Sequence, residues 1–476
     1  MTKDTGAIQH IFSGTCIDTP ELGKVRIMLN ALLAVDHLGK IVTLIEDGGG
    51  EEGIHAYMTK VGDRAKVAQI HQLGPHEFLF PGLIDTHIHA PQYAFTGTGG
   101  DTPLLEWLEK YTFPHESRFE QLEHARHVYG RCVRRLLRNG TTTAAYFATK
   151  HVPATKVLAD TMHRLGQRGW VGKVCMDANS PKSLQETHEE ALQGTQEIIA
   201  HVQSLNSPLI RPCITPRFAI SCTEKTMRAL GDLAISTSLP VQSHLSENQG
   251  ECQMVKTLFS DHDHYTGVYH ASGLLGPSTI MAHCIHLSPE EKLMIQSTGT
   301  GISHCPGSNF SLRSGILNVR SLLDQGISVG LGTDVSGGYG TSIMGTMREA
   351  ITASRILHTD SERRGDAEVV KSLNLEEVLY LGTQGGAAIM GLAKEVGSFE
   401  VGKSLDALRV NLGAGIGEED VAVDVFDHDG PRERLEKWIN LGDDRTITHV
   451  WVAGRLVHST LPAHRVKGEE VMALKV

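Results

Sequence analysis

Nowhere in the 476 residues does an uninterrupted apolar run approach the length that crosses a membrane. The opening residues, Met1-Thr2-Lys3-Asp4-Thr5-Gly6, lack the basic-then-apolar order of a secretory leader. Positive charge is in deficit: 44 Lys and Arg stand against 55 Asp and Glu, a formal net charge of -11. That balance favours neither nucleic-acid phosphates nor an anionic membrane as a partner. None of the eight cysteines (16, 132, 175, 213, 222, 252, 284, 305) forms a Cys-x-x-Cys pair. Several, such as Cys175 and Cys213, sit inside apolar runs. They read as reduced, buried thiols, so a cytoplasmic location is expected. Internal repeats and low-complexity segments are missing as well.

What is present is the composition of a soluble globular chain, 40% hydrophobic and 21% charged. The length exceeds one ordinary domain and suits a barrel plus a smaller module. Residues 1–80 read as short strands and turns: Ile8–Ile17, Val25–Val35 and Ile41–Ile45, with Gly48-Gly49-Gly50-Glu51-Glu52 as a flexible turn or loop. After Phe80-Pro81-Gly82, short β-branched runs alternate with longer amphipathic stretches. Candidate strands lie at 83–89, 141–147, 171–177, 209–215, 239–244, 279–284, 300–304 and 327–333. The clearest helices lie at Leu122–Leu137, Ala154–Arg168, Leu184–Val202, Glu224–Thr237 and Leu317–Gln325. From about residue 396 the texture returns to strands, at Asp406–Val410 and in a pair around Ala453-Gly454. The predicted fold class is α/β: a (β/α)8 TIM barrel at 81–395. A small β-sandwich-like module built from both termini, 1–80 and 396–476, would sit beside it.

Five potential metal ligands stand late along the apolar runs: His87, His89, His244, His283 and Asp334. A doubly wound open sheet would give the same alternation of elements. These residues come from runs one, five, six and eight, and a closed ring brings such distant strands to one mouth. The pair His87-Ile88-His89 is weak evidence alone. With 26 His in the chain, roughly 1.4 His-x-His pairs arise by chance. Another, His262-Asp263-His264, lies in a polar stretch and reads as a solvated loop. In a strand, however, residues i and i+2 face one side, so His87 and His89 can grip one ion. Three imidazoles and a carboxylate could hold a divalent metal with a water, the kit for metal-assisted hydrolysis. Zinc is the expected cofactor, although iron accepts the same ligands. Glu247, three residues after His244, reads either as an acid-base group or as a first-turn helix carboxylate.

Pro81-Gly82-Leu83-Ile84-Asp85-Thr86-His87-Ile88-His89 resembles the opening of the metal-dependent amidohydrolases, and the later His, His and Asp keep their order. Further segments resemble the guanine deaminase family within that superfamily. They are His89-Ala90-Pro91-Gln92-Tyr93, Leu104-Leu105-Glu106-Trp107-Leu108, Lys110-Tyr111-Thr112-Phe113-Pro114, Asn139-Gly140-Thr141-Thr142-Thr143, Thr215-Pro216-Arg217-Phe218 and Ser243-His244-Leu245-Ser246-Glu247-Asn248. Gly332-Thr333-Asp334-Val335-Ser336-Gly337-Gly338 and Leu441-Gly442-Asp443-Asp444-Arg445 extend the likeness over nearly the whole chain. Two segments depart from it: Gly307, where a larger polar residue is usual, and Arg409 inside an apolar run, which is expected to lower stability.

The resemblance implies hydrolytic deamination of guanine to xanthine and ammonia, in purine breakdown, by a homodimer. It implies one Zn2+ per subunit on His87, His89, His244 and Asp334, with Glu247, Asp334 and His283 catalytic. Substrate would meet Gln92, Arg217, Phe218, His244, Glu247, His283 and Asp334. Gln92 offers both donor and acceptor to a ring edge, Arg217 a donor to a carbonyl, and Phe218 a ring face. Trp107 and Tyr111 read as core rather than as a pocket lid. The run Ile214-Thr215-Pro216-Arg217-Phe218 carries no Lys to bridge two metals, so a single ion is expected. The Pro-Cys-x-x-Cys motif of other zinc deaminases is absent. Competing readings are a deaminase of another aminated heterocycle, such as a pterin or triazine, and a non-enzymatic scaffold.

Overall fold

The computed structural model describes residues 6–100, 102–413 and 421–460. The opening residues read above for a leader lie mostly outside this set, as does the end of the C-terminal segment. Five strands precede the site-bearing region: β1 (Ile8–Glu21), β2 (Lys24–Asp36), β3 (Ile41–Ile45), β4 (Gln69–Gln72) and β5 (Glu77–Pro81). Ten short strands follow: β6 (Leu83–His89), β7 (Thr141–Phe147), β8 (Arg168–Gly172), β9 (Val174–Cys175), β10 (Ile210–Pro212), β11 (Thr215–Pro216), β12 (Val241–Leu245), β13 (Thr279–His283), β14 (Gly301–His304) and β15 (Val329–Leu331). The chain ends through β16 (Ala407–Asn411), β17 (Ile447–Val452) and β18 (Arg455–Ser459).

The central strands pair in parallel. One sheet runs β10-β8-β7-β6, another β12-β13-β14-β15, and β11 pairs with β9. An isolated parallel bridge joins Ile214 to Val241. At the other margin the Asp334 N–H donates to the His87 carbonyl (2.9 Å) and the His89 N–H to the Val335 carbonyl (3.2 Å). Helices separate these strands, which gives an α/β architecture. In Leu122–Arg138 the buried Ala125, Val128, Tyr129, Cys132, Val133 and Leu136 recur at helical spacing, so one apolar stripe packs inward. The third and fourth predicted strands are each interrupted. Pro212 and Pro216 have no N–H for a ladder, and between Gly172 and Val174 the buried Lys173 turns aside to Glu186 (2.7 Å).

Strands from both chain ends share one sheet, ordered β18-β17-β16-β5-β1-β2-β3 with β4 beside β1. Two local expectations are corrected there. Glu51 and Glu52 are not loop residues: a helix runs Gly50–Val61, with these acids in its first turn, where the dipole favours them. Arg409 is no unpaired cation either. Its neighbours Leu408 and Val410 point into the core, while its guanidinium grips Glu77 from two nitrogens (3.0 and 2.6 Å). The predicted loss of stability therefore has no structural cause.

Candidate metal centre and its pocket

The site lies where the strands end. His87 and His89 occupy the last turn of β6, both on one face. His244 stands near the end of β12, His283 ends β13, and Asp334 follows β15. Several of these exits are strained. Ser246, His283, Cys284 and Asp334 all have positive φ (50°, 71°, 54° and 45°) without being glycine. Each such residue costs on the order of 1–3 kcal/mol, which surrounding contacts must offset. Asp85 supplies one such contact, accepting the N–H and hydroxyl of Thr333 (3.0 and 2.5 Å) beside Asp334. Gly332 supplies space: a Cβ there would lie 2.8 Å from the Cβ of His87.

The result is a knot of ring nitrogens around one carboxylate. His87 Nε2 is 3.3 Å and His89 Nε2 3.6 Å from Asp334 Oδ1, and the Nε2 atoms of His89 and His244 are 3.0 Å apart. Nitrogens each about 2.0–2.1 Å from a tetrahedral ion would stand roughly 3.3 Å apart, so the spacing suits a shared cation. The hydrogen-bond accounting agrees. His244 Nδ1 donates to the Arg217 carbonyl (2.5 Å), which leaves its Nε2 lone pair aimed at the cluster. The buried Nε2 atoms of His87 and His283 have no hydrogen-bond partner. Two overlapping groups, His87-His89-His244 and His87-His283-Asp334, have ligand atoms within 4.8 Å of one another. Burial holds His87, His89 and His244 below the ordinary imidazole range, the neutral state that binds metal. Burial opposes the charged form of Asp334 too, but the rings of His87, His283 and His89 around it outweigh that and pull the carboxyl down.

Glu247 stands beside this cluster, its Oε2 3.5 Å from His283 Nε2 and its Oε1 3.4 Å from the Ser314 hydroxyl. Burial pushes its carboxyl up to about 8. It is not a first-turn acid, because the next helix starts at Gln249 behind an Asn248 cap. That place belongs to Glu251, which accepts the N–H groups of Glu247 and Asn248 (2.8 and 3.1 Å). His283 is raised: burial lowers it, and the carboxylates of Glu247 and Asp334 overcome that. Its Nδ1 donates to Asn309 Oδ1 (2.9 Å), turning Nε2 toward both acids.

Over the cluster lies a pocket. Its walls include every residue assigned to substrate: Gln92, Arg217, Phe218, His244, Glu247, His283 and Asp334. Leu104, Trp107, Leu108 and Leu312 add an apolar side. Trp107 is thus core and pocket wall at once, which corrects its reading as core alone. Tyr111 packs against the core and does not line the cavity. In Gln92 the Oε1 accepts the Ser336 N–H (2.9 Å) and the Nε2 donates to Glu116 (3.1 Å), so its amide is held in one orientation. Gly307 faces Glu349: a Cβ there would meet its carboxylate at 2.6 Å, so this residue pairing takes the place of a larger side chain.

A sequence profile of the Amidohydrolase family matches residues 78–457. This chain belongs to the amidohydrolase family. Among the relatives of this amidohydrolase is a probable guanine deaminase of Schizosaccharomyces pombe, 47% identical over 94% of this chain and 83% of the relative. The guanine deaminase of Mus musculus is 43% identical, over 95% of this chain and 97% of its own. Among solved structures, a guanine deaminase from C. acetobutylicum with guanine bound in its active site superposes with a TM-score of 0.84. It is 37% identical, covering 95% of this amidohydrolase and 100% of that chain.

Proposed function

We propose that this amidohydrolase hydrolyses guanine to xanthine and ammonia. The observation that carries this is the convergence of unpartnered histidine nitrogens on Asp334, beside Glu247, beneath a cavity flanked by Arg217 and Gln92. The guanine deaminase relatives support the choice of ring. His87, His89, His244 and Asp334 would hold one Zn2+ per subunit. Such an ion, when bound, lowers the pKa of a water to about 7 and supplies hydroxide at neutral pH.

The protein's own groups do the rest. Arg217 donates to the purine carbonyl and Phe218 covers a ring face. Glu247 gives a proton to the ring nitrogen next to the carbon that bears the amine. Asp334 takes a proton from the attacking water, and His283 hydrogen-bonds the attacking oxygen. The proton held by Asp334 passes to the amine, which leaves as ammonia as the attacking oxygen becomes the new carbonyl. The apolar wall of Leu104, Trp107 and Leu108 keeps bulk water from the reacting atoms.

The same reading closes the parallel strands of 81–395 into one (β/α)8 ring, with 1–80 and 396–476 forming a separate β-sandwich-like module. It places the enzyme in purine breakdown, as a cytoplasmic homodimer. One experiment tests the chemistry: elemental metal analysis with a substrate screen on the same sample. Guanine absorbance should change far faster than that of adenine, cytosine or a pterin. Metal-loaded protein that leaves guanine intact and turns over another ring would overturn the assignment, and protein that neither binds nor responds to Zn2+ would favour a scaffold.

A further inference from the structure

The side chain that joins the two purine-reading residues is Glu116, on the helical turn Phe113–Glu116. It is 1% exposed, and the residues it touches, Gln92 and Arg217, are 1% and 3% exposed. Its Oε2 accepts from Arg217 Nη1 (2.6 Å) and its Oε1 from Gln92 Nε2 (3.1 Å). The ring of Phe113, from the same turn, lies 5.5 Å under the guanidinium. On its other side Gln92 is held by Ser336, whose N–H donates to Oε1 (2.9 Å) and whose hydroxyl donates to the Gln92 carbonyl (2.9 Å).

The orientation of the Gln92 amide is then forced. A backbone N–H can only donate, so Oε1 faces Ser336. A carboxylate only accepts, so Nε2 faces Glu116. With Oε1 turned to Ser336, Gln92 keeps a second N–H on Nε2 and Arg217 keeps further guanidinium N–H groups, and both residues line the cavity. We infer that Glu116 is a positioning residue that fixes the orientation of Gln92 and Arg217 and so makes this wall of the pocket mainly a donor surface. It selects heterocycles whose facing edge carries acceptors, a carbonyl oxygen and an unprotonated ring nitrogen. A ring presenting an amine at that edge would set donor against donor and leave buried groups unpaired, a costly mismatch. This deepens the guanine reading and rests on it.

The test is E116Q. Arg217 and Gln92 each bond a different oxygen of Glu116, and Gln replaces one of these with an NH2, which sets donor against donor on that side. We expect the guanine KM to rise at least about tenfold while kcat stays within about threefold, the signature of lost binding common to ground and transition states. Metal content should not change. A Q92E/E116Q swap restores a donor–acceptor match along the whole chain of bonds but removes the Gln92 N–H from the pocket. It should fold, hold metal and keep the raised KM. A folded E116Q with wild-type KM, or a swap that returns KM to the wild-type value, would overturn the inference. If E116Q does not fold, the swap alone decides by the same criterion. Failure of the guanine assignment itself is read separately, on metal-loaded wild type that does not convert guanine.

Discussion

His87, His89 and His244 at the strand ends and His10, His71 and His449 in the terminal sheet make two groups of histidines whose rings desolvation depresses. In the terminal sheet, His10 hydrogen-bonds the Gly454 carbonyl (2.9 Å) and His71 (3.1 Å). His71 stacks on Phe12 with centroids 4.5 Å apart, and His449 stacks on Trp451 at 5.4 Å. Desolvation takes His71 down to about 3 and His449 to about 4. At the strand ends of the parallel sheets, His87, His89 and His244 are lowered for the same first reason. A shifted pKa therefore does not tell the two apart. The difference lies in where the lone pairs go. Around Asp334 they converge on one point, whereas in the terminal sheet the ring nitrogens of His10, His71 and His449 meet one another, the Gly454 carbonyl or the Thr448 hydroxyl. Among the described residues, only the first group meets the geometry for an ion.

The sharpest break between the groups is E247Q. It should keep its metal and lose turnover by about 10²–10⁴-fold, the usual size of a lost acid-base group. Near-normal kcat would remove Glu247 from the chemistry. His87→Ala should lose metal and turnover together, whereas His71→Ala should lose neither. The terminal variant should instead cost about 1–3 kcal/mol in denaturant unfolding. Metal loss from His71→Ala would erase the contrast drawn here.

Acid should act on the terminal group next. His71 and His449 are neutral in the fold, with values near 3 and 4, and titrate near 6.5 when unfolded. A depressed base contributes stability that is present above the unfolded value. That stability is lost as pH falls from about 6.5 through the folded values. The slope should reach roughly 1.4 kcal/mol per pH unit for each ring. Unfolding followed by Trp fluorescence from pH 7 to 4 checks this, and a flat profile would contradict it. The smallest effect belongs to Arg409→Ala. Its pair with Glu77 is partly exposed, so about 1 kcal/mol or less is expected, with metal and turnover unchanged.

Much of the site could be read from the chain alone because it depends on local rules. Alternation in a strand puts His87 and His89 on one side wherever β6 lies. The order of late-strand ligands pointed to one place, and His87, His89, His244, His283 and Asp334 do fall into two overlapping groups with ligand atoms within 4.8 Å of one another. Other residues left no such trace. Glu116 is an acid between His115 and Ser117, with no periodicity to mark it, and its meaning comes from Arg217, 101 residues away. Asn309 matters through His283, and Ser336 through Gln92, across 26 and 244 residues. The helix at Gly50–Val61 was hidden by three glycines at its start, where turn propensity outweighs a pattern that begins only at Ile54.

The order of residue types along the chain settled which groups exist and which strand face each would occupy, since both follow from backbone periodicity and composition. It did not settle which lone pairs stay free. That depends on who hydrogen-bonds whom after distant segments meet. Glu116 and Ser336, brought to Gln92 from distant parts of the chain, fix which way its amide faces, because a carboxylate can only accept and a backbone N–H can only donate.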